Sequence, residues 1–440
     1  MEPGASTASF AIANSREDFA CRSLGGMNRF ILLALALAGC LEQAPATDET
    51  DQDLNGDTWA TVDDNGYSAG TGADANGIAI SPTTHKVLVA GSRGETNNTS
   101  TWIVRGAPDG VTWGLNSTFK LVTTGSSQAL NVAADSAGYF YVVGTAIDSG
   151  GDMHWIVRRS VDDAANWATV FDEGHHDVRD LPTGLSVDAA GNVFVSGPVW
   201  AFGKATARIV RGTNHGQSGS WTEVYTTAGS GNDNNFYATC NSTYNGQPAT
   251  YAVGWDGEAT TPAWSQAMIH YTVDGGMTWL WDYNIDASYL WNRSYGCAGT
   301  PSGNLMLAIT SEQPSPVESE YQLIVLNYKT EAELTFDGSY NTFKTTIEAS
   351  YGGIYVPSPS HRDYSFGAIA TSTGALHWQT HYGADSQWST WNASDDYTYP
   401  GTSGGAKALN AAYDSTRGLY VVGWAYDAAN RLHGIVRHRQ

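Results

Sequence analysis

A chain of 440 residues is too long for one small core and suits either two ordinary domains or one large repeat fold. Its 44 Asp and Glu against 22 Lys and Arg leave a formal charge of −22, which argues against a nucleic-acid backbone as partner, since such binding runs on clustered Lys and Arg. With 49 glycines, 16 tryptophans, no sustained 3.6-residue apolar period and no apolar run long enough to span a bilayer, the composition points to short strands and tight turns.

The first recognisable element is "MNRFILLALALAGC", Met27–Cys40. A basic residue, Arg29, precedes an apolar stretch from Phe30 to Ala38, the pattern of a secretory signal. "LAGC" at Leu37–Cys40 resembles the bacterial lipobox, which implies cleavage before Cys40 and a diacylglycerol on its sulfur. Residues 1–26 do not look like a signal, so Met27 reads as the true start and 1–39 as upstream extension plus signal peptide. The resemblance implies an exported protein of the bacterial cell envelope, touching the membrane through its lipid alone. Leu41-Glu42 lacks the Asp associated with inner-membrane retention and hints at the outer membrane or cell surface.

Residues 40–57 read as a flexible acidic linker. Asp51, Asp53, Asn55 and Asp57 follow calcium-loop spacing with Gly56 at the turn, but Val62 stands where a bidentate Glu belongs. A solvated linker is the plainer reading, and no other metal or cofactor is expected.

From Trp59 onward one unit recurs. "VLVAGS", "YVVGT" and "VFVSG" place Gly91, Gly144 and Gly197 at a constant step of 53 residues, and Arg105, Arg158 and Arg211 follow at the same step. The register loosens through "YAVGW" at Tyr251, "LMLAIT" at Leu305, "IYVPS" at Ile354 and "LYVVGW" at Leu419, giving seven copies. Each holds strand, Gly/Asn turn, strand, variable loop, strand, turn and a fourth strand opening on Trp. Four strands in about 50 residues, repeated, is the pattern of a β-propeller blade. The chain ends on a third strand, "HGIVRHRQ", while "WATVDDNGY" at Trp59 matches the fourth strand "WATVFDE" at Trp167. The expected fold is therefore all-β: a seven-bladed propeller over 58–440, its four-stranded antiparallel blades closed by the N-terminal strand pairing into the last blade.

Between third and fourth strands stands "TVDGGMTW", Thr272–Trp279, with "SVDDAANW" at Ser160–Trp167 and worn versions ending at Trp113 and Trp221. These resemble the Asp box of sialidases and related (BNR-type) repeat propellers. The carboxylate accepts turn N–H groups, Gly supplies positive φ, and Trp covers the hairpin. In that family these turns lie opposite the active site, which implies a structural role for Asp162 and Asp274. The repeated Arg105, Arg158, Arg211 and Arg437 read as blade-to-blade contacts.

Chemistry is expected in the second-to-third and blade-to-blade loops, which share one face. There, Trp200, Trp255, Trp291, Trp388, Trp391 and Trp424 are candidate shelves for a sugar ring, or else loop packing, with Arg293, His361 and Arg362 as polar partners. Candidate catalytic carboxylates are Asp152, Asp256, Glu258, Asp395 and Asp396. Arg179, Arg293 and Arg362 are the arginines expected on the functional face outside the repeated position. The Arg-Ile-Pro motif of sialidases is missing, with "GIAI" near its place, and the ring has seven units against six. His175-His176 point apart on a strand-like segment and do not make a metal site. Cys240 and Cys297 fall on innermost strands of neighbouring blades, either as a disulfide near the channel or as two buried thiols, which their Cα separation decides.

These readings favour a monomeric surface lipoprotein whose propeller binds a glycan or protein partner through one face. The alternatives are a glycoside hydrolase, sialidase-like or with two carboxylates, and a scaffold in an envelope complex.

Overall fold

The computed structural model describes residues 58–66, 72–175, 180–201, 204–227, 233–257, 265–285, 291–300, 303–314, 317–327, 335–336, 341–345, 349–355, 364–370, 376–383, 391–400 and 405–439. Cys40, Asp51, Asp53, Asn55, Asp57, Glu258, His361, Arg362 and Trp388 lie outside them.

The described chain is nearly all strand. β1 is Trp59–Gly66. Then come β2 to β5 (Gly77–Ile80, Val87–Gly94, Ser100–Ala107, Gly114–Phe119) and β6 to β9 (Ser127–Ala134, Phe140–Ile147, Met153–Ser160, Ala168–His175). β10 to β13 are Gly184–Val187, Val193–Ala201, Lys204–Gly212 and Trp221–Thr226; β14 to β17 are Asp233–Tyr244, Gln247–Gly257, Ser265–Thr272 and Leu280–Ile285. β18 to β22 are Trp291–Gly299, Leu305–Pro314, Val317–Asn327, Thr335–Phe336 and Asn341–Thr345. β23 to β26 (Ala349–Tyr355, Tyr364–Ala370, Leu376–Gly383, Trp391–Tyr397) and β27 to β29 (Ala406–Asp414, Gly418–Tyr426, Leu432–Arg439) complete the series.

Five sheets hold four strands each in chain order, one of them completed by β1, and a sixth holds nine. Within the nine, β14–β17 and β18–β22 meet through a single parallel bridge, Ser265 to Trp291. The first strands β2, β6, β10, β14, β18, β23 and β27 touch in turn, and β27 touches β2. The antiparallel sheets thus stand around a common axis as in a β-propeller, with β1 antiparallel to β29 from Trp59–Arg439 to Gly66–His433.

Alternation explains the packing. Second strands are apolar on both faces and buried, as in Val87–Ala90 and Phe140–Ala146, because each is covered by a sheet on either side. Fourth strands such as Gly114–Phe119 are half exposed. The core lies between sheets: Leu88 and Trp102 pack on Phe140 and Ile156, Trp155 on Val193 and Val195, and Phe366 and Trp378 on Leu419 and Val421. Trp102, Trp155 and Trp378 are all fully buried at equivalent places on third strands.

Two expectations fail in the sheet β23–β26. "IYVPS" was read as a second strand, but Ala349–Tyr355 is the first and Tyr364–Ala370 the second. Pro357 and Pro359 follow the first strand, and a residue without N–H cannot sit in a central ladder, so the second strand starts after them. His361 and Arg362 lie between these two strands in the chain and outside the described residues. Likewise 385–400 is not a blade-to-blade loop: Trp391–Tyr397 is the outer fourth strand β26, opening on Trp like its counterparts, and Trp388 falls between third and fourth strands.

Candidate functional site

The strands create two unlike faces. Second-to-third turns and sheet-to-sheet connections lie on one, the linker face. First-to-second and third-to-fourth turns lie on the other, the Asp-turn face.

The Asp-turn face is held by local hydrogen bonds. Asp274 accepts the N–H groups of Met277 and Thr278 at 2.9 Å each and the Thr272 hydroxyl at 2.8 Å. Gly275 and Gly276 take φ of 68° and 86°, which a side chain would resist. Asp162 accepts from the Asn166 backbone at 2.9 Å and the Asn166 amide at 2.6 Å. Burial pushes the Asp274 carboxyl up, but Thr278, Thr272 and Met277 bring it down to about 2; Asp162 is held at about 2, first by the Asn166 side chain. Such carboxylates are committed to their turns. The worn copy at Asp109 still closes its turn on Val111 and Thr112.

The repeated arginines join neighbouring sheets. Arg105 grips Asp63 of the closing strand with two bonds of 2.7 Å, and Arg437 grips Asp395 with bonds of 2.9 and 2.6 Å. Arg158 lies 4.7 Å over the Phe119 ring, and Arg211 donates to the Gly275 carbonyl at 2.6 Å.

A cavity of about 460 Å³ opens in the central channel. Its walls come mainly from first strands, and a β-bulge recurs there: Leu130, Tyr237, Tyr295 and Leu409 are each skipped by the ladder. All four of these extra residues line the cavity. Around the ring the wall has two characters. On the arc of β27, β2 and β6 stand Asn410, Asn76 and Asn131 with Lys407. The Asn410 amide donates to Asn131 at 3.2 Å, and Asn131 to the Thr183 carbonyl at 3.0 Å. Gly77 permits this closeness, since a Cβ there would stand 2.8 Å from the Asn131 Cα. Asn76 donates to Asp74 and to the Ala129 carbonyl. Burial pushes the Asp74 carboxyl up, against hydrogen bonds from Ser92, Gln128 and Asn76.

The opposite arc is aromatic. Tyr237 and Tyr295 stack at 4.7 Å with planes 24° apart. Cys240 and Cys297, three and two residues further on, form a disulfide across β14 and β18 with Cα atoms 5.9 Å apart, and Cys297 lines the cavity. No Asp or Glu is among the described residues lining the cavity.

The residues singled out from the sequence are mostly elsewhere. Trp200, Trp255 and Trp424 sit near the ends of second strands, and Trp291 and Arg293 on first strand β18, rather than in loops. Trp255 and Arg293 do come together, the guanidinium 5.1 Å over the indole, so a cation already covers that ring. Trp424 packs edge-on to Tyr426 at 5.5 Å. The carboxylates are dispersed. Asp152 closes a turn with Asp148, Asp256 pairs with Gln266 in β15–β16, and Asp395 is bound to Arg437. Asp396 meets His377 at 3.1 Å, a cross-strand pair repeated by His154–Asp172 at 2.6 Å and His433–Asp64 at 2.6 Å. Recurrence at one position of three sheets marks it as part of the fold. Among the described residues no group of three His, Cys, Asp or Glu is placed to hold a metal ion. Of the cavity residues Cys297 was foreseen, in the disulfide expected near the channel; the others were not, although "ALN" at Ala129–Asn131 and again at Ala408–Asn410 carried a signal.

No protein-family model matches the chain, and no curated protein sequence matches it. Among solved structures it is similar to a protein of unknown function from Dyadobacter fermentans, at 12% identity over 87% of this chain and 99% of that one, with a TM-score of 0.48. It is similar to the α-L-arabinanase of Penicillium chrysogenum complexed with arabinobiose, at 11% identity over 86% and 97%, TM-score 0.48. A PL25 ulvan lyase matches at 12% identity over 70% and 76%, TM-score 0.42. At such identities and scores the likeness names no activity for this chain.

Proposed function

We propose that the chain is an exported, seven-bladed Asp-box propeller, anchored by lipid at Cys40, that binds carbohydrate in its central channel without hydrolysing it. One observation carries the reading: a cavity of about 460 Å³ walled by stacked tyrosines on one arc and amides on the other, with no carboxylate among its described lining. An aromatic platform takes the apolar face of a pyranose, and amides take its hydroxyls. Hydrolysis by the usual route needs two carboxyl groups about 5–10 Å apart across the bond to be cut, and Asp152, Asp256 and Asp395 belong to three different sheets.

The test uses the full chain with Cys40→Ser, which removes the lipid, on a glycan array beside a panel of fluorogenic glycosides. The expected result is binding to a restricted set of glycans, lost on Tyr295→Ala, and no turnover. Turnover abolished by Asp152→Asn or Asp256→Asn would overturn the reading in favour of a glycoside hydrolase. Absence of binding to every glycan would overturn it in favour of a protein scaffold.

A further inference from the structure

We infer that the disulfide Cys240–Cys297 positions the tyrosine platform, so that the cavity grips its sugar while that bond is intact and loosens its hold when the bond is reduced; this rests on the carbohydrate reading above. The two arcs of the channel wall are tied differently. On the amide arc an asparagine directly follows the extra residue of the bulge, Asn131 after Leu130 and Asn410 after Leu409. Asn131 donates to the Thr183 carbonyl just before β10 at 3.0 Å, and Asn410 donates to Asn131 at 3.2 Å, so these side chains link one sheet to another. On the aromatic arc the residues that follow Tyr237 and Tyr295 are Ala238 and Gly296, which have no side-chain donor.

Beside the rings, the link between β14 and β18 is covalent. The two strands are not ladder neighbours. The disulfide joins them three residues past Tyr237 and two past Tyr295, with Cα atoms 5.9 Å apart. Ser242 and Thr243 also tie β14, to the Asn304 and Gly303 carbonyls at 2.8 Å each, but they lie beyond the disulfide from the rings. Tyr237 and Tyr295 are both extra residues of a bulge, outside their own ladders, so their 4.7 Å stack keeps its spacing only as well as the two strands keep theirs. A bond that holds the strands spares the sugar the cost of ordering the platform, which is preorganisation. Cys297 lines the cavity, so a small dithiol reaches the bond from there. In that reaction the Sγ–Sγ bond breaks. The dithiol supplies two electrons and two protons, leaves two thiols in the chain and closes its own sulfurs into a disulfide.

The array glycan that binds best is titrated calorimetrically into the full chain with Cys40→Ser, first oxidised, then reduced with a dithiol, then reoxidised. The same titration is made on the variant that also carries Cys240→Ser and Cys297→Ser. Reduction and the paired serines should each weaken binding about tenfold, as loss of a preorganised aromatic contact allows. Reoxidation should restore it. The near-ultraviolet tyrosine circular dichroism should change in step with affinity, while the far-ultraviolet signal stays constant. Asn241→Ala separates positioning from stability: it removes the 2.7 Å bond from β14 to the Val187 carbonyl, outside the cavity lining. That variant should melt earlier and bind as tightly as the parent. Undiminished affinity after reduction, affinity that merely follows the thermal midpoint through Asn241→Ala, or unfolding of both the reduced chain and the paired-serine variant would overturn the positioning role and leave the carbohydrate reading standing. No glycan bound by the oxidised chain would overturn both.

Discussion

Burial holds the His270 imidazole at about 4, and His381 likewise, against the ordinary 6.5. A native state that binds a proton less readily than the unfolded chain keeps its full stability above pH 6.5 and loses part of it as pH falls toward 4. Asp162, held at about 2, keeps its contribution down to about pH 4 and loses it below that. Thermal midpoints followed by circular dichroism from pH 7 to 2 should therefore fall in two steps. His270→Phe makes the upper step smaller, because His381 still shares it, and Asp162→Asn makes the lower step smaller. A profile unchanged by both substitutions would refute this. Asp395 gives a second test at the same scale. Its side chain and that of Arg437 are only 4% and 11% exposed, so Asp395→Ala strands a buried guanidinium. The expected cost is about 3–5 kcal/mol in urea denaturation. A stable Asp395→Ala variant would return that carboxylate to the catalytic candidates.

At the scale of elements, β1 is the piece on which the ring depends. It covers the edge of β29, sends Asp63 to Arg105 of the next sheet and sets Trp59 against Ser394 of the previous one at 3.1 Å. A chain lacking residues up to Gly66 should leave β29 an open edge and associate, seen as early elution in size-exclusion chromatography. A monomer with native circular dichroism would count against this role. The pairing was legible because "WATVDDNG" and "WATVFDE" open alike and the last copy lacks a fourth strand. The four-strand unit was legible wherever the 53-residue step held. It was misread after Tyr355, where a Pro-rich connection displaced the second strand and carried Trp391, Asp395 and Asp396 from an imagined loop onto β26. The cavity was hidden for a different reason. A bulge inserts one residue and reverses the inward–outward alternation beyond it, so Tyr237 and Tyr295 reach the axis from positions that simple period-two reading assigns elsewhere.

At the scale of the molecule, β1 begins beside Arg439, on the Asp-turn face, while the second-to-third turn at Asp427–Arg431 lies at its far end. With Cys40 lipidated as proposed, the 18 residues from 41 to 58 span at most about 60 Å and join the face that carries Val161 and Met277, 53% and 73% exposed. On vesicles loaded with the lipidated protein, a bulky maleimide should label Met277→Cys more slowly than Ala428→Cys, which lies on the linker face. Equal rates would show that the tether imposes no orientation. The same strand also sets an order of events. Thr61 emerges early in synthesis, yet its ladder partner is Arg437. The circle can be sealed only when the final strand has been made, so a product that stops short leaves its opening segment without a mate. Sealing thus waits on β29, however early the other sheets have formed.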